Sequence, residues 1–287
     1  MRALQRMNGH IQRWLQERHF RPGQLIRNRY RIVGLLGTGS YGVTYRCDDL
    51  VTGAICVLKR VHPLRGGQRR AELIYDREFQ AMTRLQHERV PDLLESFTYQ
   101  GQHCLTMEYM QGLNIGQLLF EEEQTFTEQE SLQLIHQLLD IVEMMHKQGM
   151  IHRDISLSNV LLHEGRVQLI DFGLTWREEE PPALVQELDE LVSGDEQEKR
   201  IRRRLDASSD FYGIGHLLLY LLYSTYDDAD DAQADNEQER SWEQELQLHP
   251  RTRQMLRRLL LIDSPYVHIA EIRSEIEDIL ADQPHPQ

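Results

Sequence analysis

The chain has 287 residues, 40% hydrophobic and 27% charged, the balance of an ordinary globular protein long enough to bury a sizeable core. Its longest strongly apolar run, 217–223, is far below the roughly 20 residues of a bilayer crossing, and the sequence opens with arginines rather than an apolar core. Neither a transmembrane segment nor a secretion signal is expected. The net charge of −14 divides into +7 over residues 1–110 and −21 over 111–287. Net acidity argues against general nucleic-acid binding, although the basic N-terminal part can still meet nucleic acid or an anionic surface.

Three cysteines, Cys47, Cys56 and Cys104, are odd in number and show no paired spacing. They suit buried thiols in a reducing cytoplasm better than disulfides or a zinc site. In chain order, Leu4, Met7, Ile11, Trp14 and Leu15 recur at helical spacing among Arg2, Arg6, Arg13 and Arg18. This predicts a basic amphipathic helix over the first twenty residues, which either packs on the rest of the chain or docks on a surface or partner. Residues 1–29 are read as an N-terminal extension, broken at Arg21-Pro22-Gly23. From Tyr30, short β-rich runs follow at 30–36, 43–47, 55–59, 93–98 and 104–108, with turns at Thr52-Gly53 and Gln100-Gly101-Gln102. One helix, 71–86, interrupts them.

Beyond residue 110 the periodicity becomes mainly helical. Thr127 followed by Glu130 is a capping box opening a helix to about Lys147, and runs at 160–162 and 167–170 flank Glu164-Gly165 as a hairpin. The expected class is α+β in two lobes. A small antiparallel sheet with one helix occupies 30–110, and a larger, mainly helical lobe occupies 111–283.

The chemistry begins at Gly37-Thr38-Gly39-Ser40-Tyr41-Gly42. A G-x-G-x-x-G match alone is a weak signal, shared by dinucleotide sites, kinases and plain turns. A dinucleotide site needs a helix directly after the glycines, whereas 43–47 alternates as a strand; Val43 also stands where a P-loop needs lysine. What remains is a glycine hairpin able to close over phosphates, or a simple turn. Lys59 ends an apolar strand 17 residues later, in a chain that uses arginine at 29 of 32 basic positions. A lysine there suits a compact point charge, and Glu78, on the predicted helix, is placed to pair with it.

Farther on come Ile151-His152-Arg153-Asp154-Ile155-Ser156-Leu157-Ser158-Asn159 and then Asp171-Phe172-Gly173. On these spaced motifs the chain resembles the eukaryotic-like, or Hanks-type, Ser/Thr protein kinases of bacteria over about residues 30–283. The resemblance implies a two-lobed kinase-like fold and an ATP-dependent enzyme acting on protein substrates. It further implies that Asp154 receives or orients the substrate hydroxyl and that Asn159 and Asp171 hold Mg²⁺, or Mn²⁺ in its place, on the ATP phosphates. Lys59, paired with Glu78, binds phosphate under the hairpin of Gly37, Thr38, Gly39, Ser40 and Gly42. Met107, Glu108 and Met110 form the hinge that meets adenine, and Leu36, Thr44 and Val57 supply apolar walls. Asp210 resembles the start of a buried central helix that anchors the catalytic loop, or is a plain N-cap.

Several positions depart from the family pattern. Ser156 stands where Ser/Thr kinases usually carry lysine, and Ser158 where tyrosine kinases carry arginine. Loss of one charge-assisted hydrogen bond of about 1.5–3 kcal/mol slows transfer roughly 10- to 150-fold without abolishing it. The activation segment, 171–206, contains no Ala-Pro-Glu, and no arginine lies within 263–268 to receive that glutamate. Between Arg177 and Asp206 the one hydroxyl is Ser193, so control by loop phosphorylation is not expected. Arg153 takes its negative partner from Glu178, Glu179 or Glu180, unless these form a solvated acidic run. Arg200, Arg202, Arg203 and Arg204 either balance Asp189, Glu190, Asp195 and Glu196 or favour acidic substrates. Beside the protein-kinase reading stand a nucleotide-binding pseudokinase scaffold, a small-molecule kinase of the same fold and an interaction module without nucleotide.

Overall fold

A computed structural model describes residues 20–39, 42–61, 67–181, 183, 200–226 and 240–282. Apart from Phe20, the helix predicted over the first twenty residues lies outside them, as do Ser40, Ser193 and the acidic residues Asp189, Glu190, Asp195 and Glu196. The chain forms two compact units. One holds the described residues up to Gln86 with Pro91–Tyr109, and the other holds His87–Val90 with those from Met110 onward. His87–Val90 joins the second unit because Arg89 is tied there. Its guanidinium binds Asp140 at 2.9 Å and the Gln137 carbonyl at 3.0 Å, and its own carbonyl accepts from Leu169 N.

The first unit contains β1 (Leu25–Ile26), β2 (Tyr30–Thr38), β3 (Gly42–Asp49), β4 (Ile55–Val61), helix α1 (Gly67–Arg84), β5 (Leu93–Tyr99) and β6 (Gln102–Glu108). The strands make one antiparallel sheet in the order β1-β2-β3-β4-β6-β5. Directly opposed residues share a face, so the pairs Tyr45/Leu58 and Cys47/Cys56 point together into the core, all at 0% exposure. Thr44/Lys59 and Arg46/Val57 line the other face. The sheet curls until Tyr30 on β2 and Phe97 on β5 stack 5.9 Å apart, with Tyr30 Oη donating to Glu95 at 2.6 Å.

Two boundaries differ from the sequence reading. Part of the expected 1–29 extension belongs to this sheet, because Leu25–Ile26 pairs with β2 and Phe20 is buried. A two-residue strand has no alternation to read, and Arg21-Pro22-Gly23 masks it as a linker. Helix α1 starts at Gly67 rather than Ala71, taking in a glycine that reads as loop in the sequence. The three thiols are free and buried as expected, and burial pushes Cys47 and Cys104 up to about 12 and Cys56 to about 11.

The second unit contains β7 (Leu113–Asn114), α2 (Ile115–Phe120), α3 (Glu128–Lys147), β8 (Met150–Ile151), β9 (Val160–His163), β10 (Arg166–Leu169), β11 (Trp176–Arg177), α4 (Ser208–Tyr223), α5 (Trp242–Glu245), α6 (Pro250–Leu259) and α7 (Ile269–Asp282). The capping box opens α3 as read: Thr127 Oγ1 accepts from Glu130 N at 3.2 Å, and Glu130 Oε2 accepts from Thr127 N at 2.8 Å. The β9–β10 hairpin turns at Glu164 (φ 49°) and Gly165 (φ 76°), the left-handed pair that a two-residue hairpin demands.

Helix α4 is buried nearly all round. A Cβ at Gly213 would lie 2.8 Å from the Ile155 carbonyl oxygen, and one at Gly215 would lie 2.8 Å from Leu259 Cβ. These two glycines let α4 touch the 152–159 loop on one side and α6 on the other. The segment 263–268, without arginine of its own, is gripped from α6 instead. Arg257 binds Asp263 at 2.7 Å, and Arg258 lies 3.6 Å over the Tyr266 ring while binding Glu271 at 3.0 Å. Among the described residues no helix is long and apolar enough to cross a membrane.

Candidate active site

In the first unit, β2 and β3 carry the glycine hairpin, with Gly37 opposite Thr44 and Gly39 N donating to Gly42 O at 2.9 Å. Glycine is required at position 42, where a Cβ would stand 2.6 Å from the Arg60 carbonyl oxygen. At Gly37 a Cβ would meet nothing within 4 Å, so its absence leaves open space over the hairpin. Leu36 is 46% exposed beside it, Thr38 is exposed, and Ser40 lies outside the described residues.

Register places Thr44, Val57 and Lys59 on one face of the sheet, with Met107 directly opposite Val57. Lys59 Nζ lies 2.8 Å from Glu78 Oε1 on α1, both side chains nearly buried. Such a pair holds the ammonium in one place, because neither charge can be left alone in the interior. At the end of β6, Glu108 N donates to Asp92 O at 2.9 Å, so any backbone hydrogen bond that this residue offers a ligand comes from its carbonyl. Met110 opens the second unit and is buried.

In the second unit, β8 delivers His152-Arg153-Asp154. Asp210 is wholly buried beneath them, accepting from His152 N at 3.0 Å and Arg153 N at 2.8 Å, with His146 Nε2 2.8 Å away. It is the third residue of α4, which begins after Ala207, and so is not an N-cap. Burial alone would raise its pKa. The His146 hydrogen bond, the neighbouring imidazoles and the Arg153 N–H outweigh that and hold the carboxyl below the usual aspartate range. His146, on the last turn of α3, is a site residue that the sequence reading missed, because its partner lies 64 residues away.

Asn159 Nδ2 donates to both the carbonyl and Oδ2 of Asp154, each at 2.9 Å, which fixes the Asp154 carboxylate and orients the amide. Ser158 Oγ approaches Asn159 Oδ1 at 3.3 Å and Ser156 Oγ at 3.0 Å, so the two loop serines bond to each other where the family places a cation. Ile170 N donates to Asn159 O at 2.9 Å, which brings the neighbouring Asp171 alongside the loop; Asp171 Oδ1 accepts from Gly173 N at 3.2 Å. Arg153 (φ 66°) and Asp171 (φ 65°) both adopt left-handed backbone, strain that such residues carry only where their surroundings enforce it.

Arg153 is 3% exposed and donates to the carbonyls of Leu174 at 3.4 Å and Arg203 at 2.8 Å. Of its three expected acidic partners, Glu178 donates its N–H to Gly149 O, Glu179 lies 3.5 Å from Arg177, and Glu180 is buried with its carbonyl accepting from the Trp176 indole. Arg202 lies 5.5 Å over the Tyr212 ring, and Arg204 reaches Ser208 Oγ at 3.4 Å.

Comparison with known proteins converges on one family. The protein kinase domain family matches residues 30–280. The probable serine/threonine-protein kinase YbdM of Bacillus subtilis is 31% identical over 266 residues, 93% of this chain and 95% of that protein. Serine/threonine-protein kinase B of Synechocystis is 28% identical over 260 residues, 82% of this chain and 43% of that longer protein. The crystal structure of the PknI kinase domain of Mycobacterium tuberculosis matches with a TM-score of 0.65 at 19% identity, covering 91% of this chain and 99% of that one, a likeness of fold.

Proposed function

The chain belongs to the protein kinase family, in its bacterial eukaryotic-like branch, and from that premise we propose that it transfers the γ-phosphate of Mg-ATP to serine and threonine hydroxyls of proteins, itself included. The observation that carries this reading is the Asn159 amide clasping Asp154, a carboxylate held in one orientation beside Asp171.

Asp154 aligns the acceptor hydroxyl and takes its proton as the hydroxyl oxygen bonds to the γ-phosphorus and the bond from that phosphorus to the β,γ-bridging oxygen breaks, ADP leaving with that oxygen. Lys59, braced by Glu78, places its ammonium against phosphate oxygens, and the open backbone of the hairpin at Gly37 and Gly39 covers them. Leu36, Thr44, Val57 and Met107 bound the adenine; the Glu108 carbonyl and the Met110 N–H read its edge. The family implies ATP and a divalent metal, and the donor set fits. Asn159 presents Oδ1 because its Nδ2 is engaged by Asp154, and Asp171 adds carboxylate oxygen, both hard ligands suited to Mg²⁺ and also to Mn²⁺. When bound, the cation neutralises phosphate charge. Three buried thiols fit a reducing, cytoplasmic setting.

Arg153 anchored on the Leu174 and Arg203 carbonyls supports a catalytic loop that is ordered without loop phosphorylation. The test is transfer from γ-labelled ATP to a generic basic protein and to the chain itself, followed by phosphoamino-acid analysis. Phosphoserine and phosphothreonine are expected; phosphotyrosine alone, or label only on a small molecule, would overturn the reading.

A further inference from the structure

Phe20 is buried, 7% exposed, in the core of the first unit. Its N–H donates to Tyr45 Oη at 3.1 Å, and its ring lies 5.2 Å from Tyr45 and 5.8 Å from Tyr99. The Arg60 guanidinium sits 4.7 Å over the same ring. Arg60 is itself 2% exposed, and burial pushes it below the usual arginine range. A cation is costly to place in a protein interior, so an aromatic face laid against it is a specific compensation rather than filler.

Arg60 touches the nucleotide grip in two ways. It directly follows Lys59 on β4, and strand alternation sends Lys59 to the ligand face and Arg60 to the core. Its carbonyl oxygen is also the atom that forbids a side chain at Gly42, and Val43 lies directly opposite it. The backbone of residue 60 is therefore the floor beneath one end of the glycine hairpin, and its side chain is pinned from below by Phe20.

We propose that Phe20 and Arg60 are positioning residues for ATP: their stacked pair fixes the end of β4, and with it Lys59 and the Gly42 turn, so the chain entering at Phe20 has a mechanical hold on nucleotide affinity. This inference rests on the role proposed above for Lys59. Core packing alone would make the same residues matter for stability only. Coupling to Lys59 makes them matter for ATP affinity in a protein that stays folded.

The experiment compares Phe20→Leu, Phe20→Tyr, Arg60→Met, the double variant Phe20→Leu/Arg60→Met and Lys59→Met in the full chain, reading KM for ATP, kcat at saturating ATP and the thermal midpoint. Phe20→Leu and Arg60→Met are each expected to raise KM for ATP about three- to tenfold, the scale of one cation–π contact, with kcat within about twofold of wild type. Phe20→Tyr keeps the ring and is expected to keep a normal KM, and the double variant is expected to raise KM by clearly less than the product of the two single effects, because both variants remove the shared cation–π contact. An unchanged KM with only a lowered thermal midpoint, or additive KM effects, would overturn the proposal. Lys59→Met separates the two claims: if it transfers phosphate normally, the role of Lys59 itself is wrong; if it alone fails, only the coupling is wrong.

Discussion

Asp210 shows what one residue holds together. Its carboxylate takes the N–H groups of His152 and Arg153 and pairs with His146, so three chain segments meet on one buried charge. Because its pKa is depressed in the folded protein, its stabilisation is present above the ordinary unfolded value of about 4 and is lost as pH falls through the folded value. Asp210→Asn is therefore expected to cost about 1.5–3 kcal/mol at pH 7 and progressively less below about pH 4, read from urea unfolding at the two pH values. A difference that does not change with pH would assign the effect to lost contacts rather than to charge. The site residues carried by short motifs, Asp154, Asn159 and Asp171, were legible because their spacing is local. His146 and Phe20 were not, because what they do depends on partners brought close only by folding.

At the scale of elements, legibility followed periodicity. The strands of the first unit were readable from alternation to within a few residues, and α3 from its capping box. Two-residue strands such as β1 have no period, and the start of α1 was hidden because its first residue, Gly67, reads as loop. Glycine carries opposite meaning at α4, where Gly213 marks a contact rather than a break. Gly213→Ala would press a methyl onto the Ile155 carbonyl and Cβ, at 2.8 and 3.0 Å, so the loop bearing Asp154 must shift or α4 must move. Overpacking of this kind is expected to cost about 1–3 kcal/mol and to lower kcat with little change in KM for ATP. Chemical denaturation together with steady-state kinetics checks both; normal kcat in a destabilised variant would mean that the loop is positioned from elsewhere.

For the molecule as a whole, the charge is divided, with +7 over 1–110 and −21 over 111–287. The sequence shows this division without saying what it meets. The activation segment is more informative. β11 pairs with β8, the turn at 177–180 closes with Glu180 N donating to Arg177 O, and Arg153 ties the Leu174 and Arg203 carbonyls to the catalytic loop. Phosphatase treatment of the purified protein is accordingly expected to leave its initial rate within about twofold, since Arg153, the residue that would receive a loop phosphate, is already held by the Leu174 and Arg203 carbonyls. A large fall restored by incubation with Mg-ATP would show instead that phosphorylation completes the site.

In the proposed division of labour Asp154 serves phosphate transfer while separate residues bind ATP, and binding and transfer measured side by side in Asp154→Asn distinguish the two roles. ATP affinity within about twofold of wild type is expected, with transfer reduced by about 10²–10⁴, the range for losing a positioned general base. Transfer that survives unchanged, or affinity and transfer that fall together, would contradict it.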